Sequence, residues 1–195
     1  MLEAQSVTIN TDDIQINKSE LAQRLKTPVG FENETVNECE DAVRKASEPK
    51  CYIAEVNIKA DAPDMVDCGV IKFVSKDLYK NLNGCTRGYI MAVTLGIGVD
   101  RLVSSTRIVS PSKSFILDAV ASAFAEAAAD YVSGQLGKAQ KLRPRYSPGY
   151  GDLSLEVQRD VLKVLNADKI LGIKLGDNLL MTPKKSITAI QGVID

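Results

Sequence analysis

The longest helical pattern in the sequence, which starts at Ser110 and Pro111, places the strongest constraint on the fold. Serine is a favoured N-cap residue, and proline is favoured at the first helical position, where its missing N–H is not needed. The pattern continues to about Val132 and is expected to stop at Gly134, which predicts a helix of about 33 Å at 1.5 Å per residue. We expect this helix to pack along a sheet.

The two sides of this helix carry different side chains. The apolar stripe predicted to face the core consists of Ile116, Val120, Phe124, Ala127 and Tyr131. The opposite side, interleaved with alanines at 121, 125 and 129, holds an acidic stripe of Asp118, Ser122, Glu126 and Asp130. Acidic stripes are usually solvated, and spacing alone favours that interpretation. The alternative is that the small alanines let another segment approach and use Glu126 as a hydrogen-bond acceptor.

Residues 145–152 are predicted to form a loop that holds a fixed shape. Pro148-Gly149 is typical of a tight turn, because proline fixes φ and glycine permits a positive φ. Around the turn lie the guanidinium of Arg145, a serine hydroxyl and two phenols, and Ser154 begins the next helix. Such a cluster suits the binding of a carboxylate, a phosphate or an adenine edge. Composition alone favours a plain connecting loop with a surface arginine.

A short basic run leads into this loop and consists of Lys138, Lys141, Arg143 and Arg145. Most such runs are solvated, and the alternative is a docking edge for an acidic partner or an anionic ligand. The whole chain carries 24 Lys and Arg against 25 Asp and Glu, a net charge of −1. No global basic field therefore favours nucleic-acid binding.

The absence of histidine restricts the chemistry most sharply. It excludes His-based catalytic triads, histidine general bases and histidine metal ligands. Any metal-centred cofactor must then take its ligands from a partner or from the cofactor itself. The four cysteines form no CxxC pair, so we expect reduced thiols and a cytoplasmic protein. Residues 1–13 do not resemble a signal peptide, and charges interrupt the longest apolar stretch, residues 115–129, so no membrane span is expected.

The remaining patterns predict an α+β fold, with one mixed or mainly antiparallel sheet and long helices packed on it. A chain of 195 residues that is 45% hydrophobic is expected to form a single domain over 1–195, with residues 1–50 as a partly helical appendage. Further helices are predicted from Asn17 or Ser19 to before Pro28 and at residues 34–46, 76–82 and 154–165. Strands are predicted near residues 14–16, 51–60, 69–74, 89–95, 171–175, 179–182 and 186–193.

Two of these strands have distinct burial patterns. Residues 51–60 alternate, with Tyr52 and Ala54 on the apolar face, so this strand is predicted to be half-buried with one wet face. Residues 89–95 are apolar almost throughout, which predicts a central strand buried on both faces. Gly96-Ile97-Gly98 follows, but Arg101 stands where a dinucleotide-binding fingerprint needs its third glycine, so a tight strand-to-helix turn is predicted instead.

Four motifs follow one another across residues 85–192. They are Val93-Thr94-Leu95-Gly96-Ile97-Gly98, Ala123-Phe124-Ala125-Glu126, Arg145-x-Ser147-Pro148-Gly149-Tyr150 and Met181-x-Pro183-x-x-Ser186-Ile187-Thr188. In this order they resemble the activation (reactivation) domain of cobalamin-dependent methionine synthase, in its short stand-alone form. The resemblance implies a bent, mainly antiparallel sheet in a C-shaped α+β domain, with residues 85–192 as its core.

The resemblance also implies a function. Members of this family bind S-adenosylmethionine and cap a cobalamin domain whose cofactor has been oxidised. Flavodoxin or another reductant supplies an electron, and the bound S-adenosylmethionine remethylates the cobalamin. Since the chain carries no corrinoid-binding or methyltransferase segment, we expect it to act in trans on a corrinoid-binding protein or a split methionine synthase. Whether the chain is itself a catalyst stays open.

By position, the resemblance assigns ligand-binding residues but no catalytic residue and no metal ligand. Arg145 and Ser147 match loop residues that hold S-adenosylmethionine, Ser147 through its backbone, and Gly149 belongs to the same loop. Glu126 matches a helix acid that faces the ligand, and Tyr150 matches a tyrosine that points at the corrin. A guanidinium offers a planar donor fork to a carboxylate, and a carboxylate can pair with the ammonium of the same ligand.

The tail of the chain departs from the family pattern. Ala189, Ile190 and Gln191 stand where the family carries aromatics, and Gly151 replaces the proline usual after the loop tyrosine. The missing aromatic favours, as an alternative, a non-enzymatic docking or capping protein for a corrinoid protein that no longer binds S-adenosylmethionine. A further alternative is an unrelated small-molecule enzyme on the same fold, because a fold does not determine a function.

Overall fold

The structure is a computed structural model that describes residues 3–29 and 33–194. It has an α+β fold, as the sequence predicted. The helices are α1 (Lys18–Leu25), α2 (Glu34–Ala46), α3 (Lys76–Leu82), α4 (Ile97–Val109), α5 (Pro111–Leu136), α6 (Gln158–Val164) and α7 (Ala167–Leu171), with short 3-10 helices at Thr11–Asp13 and Leu155–Val157. The strands are β1 (Glu3–Val7), β2 (Lys50–Asn57), β3 (Lys59–Ala62), β4 (Met65–Asp67), β5 (Lys72–Val74), β6 (Arg87–Thr94), β7 (Lys141–Leu142), β8 (Lys174–Leu175), β9 (Met181–Thr182) and β10 (Ser186–Ile194).

Five strands form the main sheet in the order β1-β2-β6-β10-β7, and each neighbouring pair is antiparallel. The central strand β6 pairs with β2, where Asn57 lies opposite Arg87, and with β10, where Ser186 lies opposite Thr94. β3, β4 and β5 form a separate antiparallel sheet, and β8 and β9 form a hairpin. The last strand of the chain is therefore an inner strand of the main sheet.

The burial of two of the inner strands, β2 and β6, tests the sequence patterns. Strand β6 is buried at every position after its first residue, which confirms a central strand covered on both faces. The predicted wet face of residues 51–60 is confirmed at Asn57 and Lys59, which are exposed, but it does not extend to Cys51 and Ile53, which are 2% and 1% exposed. Both side chains pack in the core that α2 and α5 cover. The alternation showed which side chains share a face, but not that a helical layer lies over the second face.

Two cores lie on opposite faces of the main sheet. One contains Met91 and Val93 from β6 together with buried side chains from α1, α2, α4 and α5. The other contains Ile90 and Ala92 from the same strand, with side chains from α3, α6, α7 and the small sheet. Successive residues of a strand point to opposite faces, so β6 supplies both cores.

Helix α5 is longer and more deeply buried than its sequence pattern predicted. It spans 26 residues and continues through Gly134, which was expected to end it. A single glycine inside a helix costs only about 1 kcal/mol, and packing offsets it here. Val120 and Phe124 of the predicted stripe are fully buried, and so are Ala121 and Ala129 from the opposite side. The acidic side of this helix is therefore not a plain solvated surface.

Local capping signals predicted the helix starts correctly. The side chains that accept hydrogen bonds from first-turn backbone N–H groups are those of Asn17, Asn33, Ser75, Ser110 and Ser154. The strand-to-helix turn before α4 is also confirmed. Gly96 has a φ of 81°, and a side chain at Gly98 would collide with the backbone carbonyl of Ala46.

Three predicted strands differ from the structure. Residues 14–16 form no strand, and the N-terminal strand is β1, which pairs with β2. Only Lys72–Val74 of the predicted strand 69–74 is extended and paired, because Gly69, with a φ of 76°, lies in a turn closed by a hydrogen bond from Cys68 N to Ile71 O. Leu171 belongs to the short helix α7, so the predicted hairpin is shorter than residues 171–182.

All four cysteines are free and buried, as expected for reduced thiols. Burial raises the pKa of the Cys51 thiol to about 12. Burial also raises the pKa of Cys68 to about 12, with a smaller contribution from the carboxylate of Asp67. Within residues 3–29 and 33–194, no helix combines the length and apolar character needed to cross a membrane.

Candidate functional site

The loop at residues 145–152 consists of two consecutive turns, as the Pro148-Gly149 pair predicted. The N–H of Tyr150 donates to the carbonyl of Ser147 over 3.0 Å, and Gly149 has a φ of 89°. Leu153 N then donates to Tyr150 O over 2.9 Å, and Gly149 N donates to Leu153 O over 2.9 Å. These bonds fix the loop backbone and use the carbonyl of Ser147, one of the predicted ligand-binding groups.

Asp152 ties the end of this loop to the start of α3. Its carboxylate accepts hydrogen bonds from the Ser75 hydroxyl, from Lys76 N over 2.8 Å and from Asp77 N over 3.2 Å. The Ser75 hydrogen bond is the largest cause of a lowered pKa at Asp152, and the two backbone N–H groups lower it further. The loop is thus anchored to a helix that precedes it by more than 70 residues in the sequence.

Arg145 reaches across from this loop to the acidic side of α5. Its Nη2 donates to Glu126 Oε2 over 3.1 Å, and its Nη1 donates to Asp130 Oδ1 over 2.7 Å and to Ser133 Oγ over 3.2 Å. The Arg145 side chain is 15% exposed and that of Glu126 is 26% exposed. The solvated interpretation of the acidic stripe is therefore wrong at Glu126, and the alternative, an approaching segment, is confirmed.

Tyr150 lies beside this ion pair with 51% of its surface exposed. Its ring packs edge-on against that of Tyr146, with the ring centroids 6.1 Å apart. Partial burial is the largest cause of a raised pKa at Tyr150, the charge of Glu126 raises it further, and Arg145 opposes the change. Arg24 and Glu20 of α1 also act on this phenol electrostatically, so α1 borders the same surface.

The predicted site residues therefore come together at one place. Glu126, Arg145 and Tyr150 are neighbours, while Ser147 and Gly149 form the turn between the last two of them. Gly149 is exposed, and its N–H is used inside the loop. A largely buried arginine paired with a carboxylate, a half-exposed aromatic ring and a rigid turn thus share one surface.

With this geometry established, the chain can be compared with known proteins. No family model matches it, and no curated protein matches its sequence. Among solved structures, it is similar to the crystal structure of the MetH reactivation domain bound to AdoHcy, with a TM-score of 0.76 and 14% sequence identity, over 98% of this chain and 78% of that chain. The chain has the fold of the MetH reactivation domain. The resemblance drawn from the four motifs is thereby confirmed at the level of the fold.

Within this reactivation-domain fold, sequence reasoning missed several members of the cluster. Ser133 Oγ donates to Gln191 Oε1 over 2.9 Å, and Gln191 Nε2 donates to the carbonyl of Arg143 over 2.9 Å. The sequence drew attention to Gln191 only because the family carries an aromatic residue in this region. In the structure Gln191 is buried in β10 and hydrogen-bonds both to α5 and to the segment before the loop. Asp130 and Ser133 continue the stripe of Glu126 along the helix, and that spacing is the signal that identifies them.

A second cation from another segment binds the same side of α5. Lys185, which precedes β10, donates through Nζ to Asp118 Oδ1 over 2.9 Å, to Asp118 O over 3.2 Å and to Ser122 Oγ over 2.8 Å. Its side chain is 11% exposed. The acidic stripe is therefore held by two cations, one from each of two separate loops.

Three cavities lined by described residues lie away from this cluster. A cavity of about 140 Å³ lies between α1 and α2, and two open grooves of about 470 Å³ each lie along α4 and along α6. None of these three is lined by Glu126, Arg145 or Tyr150. Among the described residues, no group of three or more His, Cys, Asp and Glu side chains is placed to hold a metal ion.

Proposed function

We propose that this chain is an S-adenosylmethionine-binding module that supports the reductive reactivation, by remethylation, of a corrinoid cofactor carried by a separate methionine synthase or corrinoid methyltransferase. The observation that carries the proposal is the fold shared with a reactivation domain solved with AdoHcy bound. The cluster of Glu126, Arg145 and Tyr150 also supports it, because the four-motif resemblance assigned Glu126 and Arg145 to the ligand and Tyr150 to the corrin.

The charges of the cluster fit the amino-acid end of S-adenosylmethionine. Arg145 offers a planar pair of donors to a carboxylate, and Glu126 offers an acceptor to an ammonium group. The two side chains pair with each other across 3.1 Å, and a zwitterion that pairs with both would leave neither of these charges unpaired.

An incoming carboxylate must displace one of the acids now bound to Arg145. The side chain of Asp130 is 65% exposed and that of Glu126 is 26% exposed. An exposed carboxylate recovers its hydration when it leaves, whereas a half-buried one does not. Asp130 is therefore the acid that releases Arg145 when the ligand binds, and Glu126 remains in place to pair with the ammonium.

The chain's contribution is binding and orientation. When bound, S-adenosylmethionine supplies the methyl group, and the corrinoid belongs to the partner protein. The two turns of the loop and the Asp152 anchor hold Arg145 and Tyr150 at fixed positions, so little ordering is needed on binding. Half of the Tyr150 surface faces solvent and offers a flat contact to a macrocycle edge.

Calorimetric titration with S-adenosylmethionine and with AdoHcy tests the proposal. Arg145→Ala should weaken binding by about 2–3 kcal/mol, or roughly 30- to 150-fold, because it removes charge-assisted hydrogen bonds to the carboxylate. Arg87→Ala is a matched control, since it breaks a 3.4 Å surface ion pair with Glu55 on the main sheet. Unchanged affinity in a folded Arg145→Ala variant would contradict the assignment of this residue.

A second candidate function is a docking or capping protein for a corrinoid protein that does not bind S-adenosylmethionine. The observation that favours it is that the Arg145 guanidinium already bonds two carboxylates and Ser133. It predicts a complex with the corrinoid partner whose affinity is the same with and without S-adenosylmethionine. The partner and a flavodoxin or other reductant as electron donor are predictions that rest on the resemblance. A cytoplasmic setting is a prediction that rests on the cysteine pattern.

A further inference from the structure

A basic groove runs along α6 on the side of the molecule built from α6, α7 and β8. We define it by its three cations, Arg159, Lys163 and Lys174, which line an open groove of about 470 Å³. Its walls also include the exposed amide of Asn166 and the carboxylate of Asp168. The proposed S-adenosylmethionine cluster shares no residue with this groove, so the two sites can be tested separately.

None of the three groove cations forms an ion pair with a described residue. Some basic side chains elsewhere in the described chain are paired, as in Arg24 with Glu20 or Lys185 with Asp118, whereas exposed cations such as Arg101 and Arg107 are not. Asp168, the one acid of the groove wall, lies beyond ion-pair distance of the three cations. The groove therefore holds an uncompensated positive charge.

The arrangement of these cations is unfavourable without an anion. Arg159 and Lys163 are four residues apart, so they lie one turn apart on the same side of α6, where like charges repel. Lys174 adds a third positive charge from β8 across the groove.

The floor of the groove is apolar. Leu162, Ala167 and Ile173 line it and are 7%, 0% and 1% exposed. A single inorganic phosphate would fill only a small part of a groove of this size, which falls in the range of small-molecule sites. The combination of three cations with an apolar floor suits a ligand that has both a polyanionic group and a flat apolar body.

We propose that the basic groove binds a phosphorylated small molecule of the nucleoside phosphate class. The two cations of α6 and Lys174 would hold the phosphate oxygens by charge-assisted hydrogen bonds, while the base lies on the partly exposed side chain of Leu175. Asn166 adds an amide group beside the cations, suited to a hydroxyl or a ring nitrogen. A flat acidic protein surface would use the cations but not the recessed apolar floor, so the small ligand fits better.

Amide-resolved NMR titration and calorimetry with ADP test this proposal, with pyrophosphate, adenosine and a polyglutamate peptide as comparison probes. ADP should shift the resonances of α6, α7 and β8, and it should bind more tightly than either pyrophosphate or adenosine. Its affinity should fall as salt rises, because the contacts are ionic. Binding should persist in Arg145→Ala, which separates the groove from the S-adenosylmethionine cluster.

A triple variant, Arg159→Ala, Lys163→Ala and Lys174→Ala, should weaken ADP binding by about tenfold or more. The matched control removes the same charge elsewhere, by Lys45→Ala, Arg101→Ala and Arg107→Ala, three exposed cations on other helices. Equal ADP affinity in the two triple variants, or no shift at millimolar ADP, would overturn the proposal. Binding of polyglutamate without binding of ADP would also overturn it, in favour of an acidic protein partner.

Discussion

The two cation clusters on α5 use the same acidic stripe in different ways. Lys185 has three donor protons and three acceptors within 3.2 Å, from one carboxylate, one backbone carbonyl and one hydroxyl. Its single positive charge meets the single negative charge of Asp118. This cluster is neutral and saturated, which is the arrangement expected of a structural clamp between α5 and the start of β10.

The Arg145 cluster is unbalanced by comparison. One positive charge meets two carboxylates, Glu126 and Asp130, so +1 and −2 leave an excess of one negative charge. One of the two acids is largely exposed, and the half-exposed ring of Tyr150 lies alongside. An arrangement with a spare acid can exchange partners at low cost, whereas a saturated one cannot. This difference in charge balance distinguishes the candidate ligand site at Arg145 from the structural clamp at Lys185, although both lie on α5.

The strongest test of this comparison on stability is Lys185→Ala. It leaves the Asp118 carboxylate and the Ser122 hydroxyl without their cation, so we expect the free energy of unfolding to fall by about 2 kcal/mol. Urea denaturation followed by circular dichroism measures the change. S-adenosylmethionine affinity should stay within about twofold of the parent. A large loss of affinity with little loss of stability would show that the clamp belongs to the ligand site.

Arg145→Ala should affect stability less than Lys185→Ala does. Asp130 is exposed and regains water, so the expected loss is about 1 kcal/mol, most of it from Glu126. The same urea titration compares the two variants directly. If Arg145→Ala proved the more destabilising of the two, the distinction between clamp and exchangeable site would fail.

Asp130→Asn should sharpen the contrast further. It removes the acid that competes with the ligand carboxylate and leaves Glu126 in place. We expect S-adenosylmethionine affinity to rise about threefold, which is the size of an exposed ion pair lost from the unliganded state. The matched change Asp118→Asn in the clamp should lower stability and leave affinity unchanged. Weaker binding by Asp130→Asn would mean that Asp130 itself contacts the ligand.

The smallest expected effect concerns the anchor of the loop and depends on pH. The pKa of Asp152 is lowered in the folded protein, so its contribution to stability is present above the unfolded pKa, about 4, and is lost as pH falls through the folded value. The difference in stability between the parent and Asp152→Asn should therefore be constant at neutral pH and shrink below about pH 4. A difference that is independent of pH would show that the charge of Asp152 is not what anchors the loop.

Much of the fold was predictable because its signals are local. The caps at Asn33 and Ser75 set their helix starts, and the apolar run in β6 indicated a central strand. Signals of this kind depend on residues within one or two turns of each other. Where tertiary packing decided the outcome, as in the burial of Cys51 and Ile53 or the continuation of α5 through Gly134, local patterns predicted wrongly.

The candidate site was predictable only in part. The order of the four motifs identified Glu126, Arg145 and Tyr150 as candidate site residues. The structure places these three residues next to one another. The pairing of Arg145 with Asp130 and Ser133, and the link through Gln191, carried no local signal because they join segments distant in sequence. The ion pair of Lys185 with Asp118 carried no local signal either. In the sequence, Lys185 is an unspecified position within the motif that runs from Met181 to Thr188.

The sequence by itself determined the long helix α5, the central strand β6 and the starts of the helices with side-chain caps, and it showed that no histidine chemistry is available. Only the tertiary structure decided that two cations cover the acidic side of α5, and that one cluster is neutral while the other carries a spare acid. The reason is physical. Capping and periodicity act between near neighbours along the chain, whereas charge balance and burial depend on which distant segments the packed core brings together.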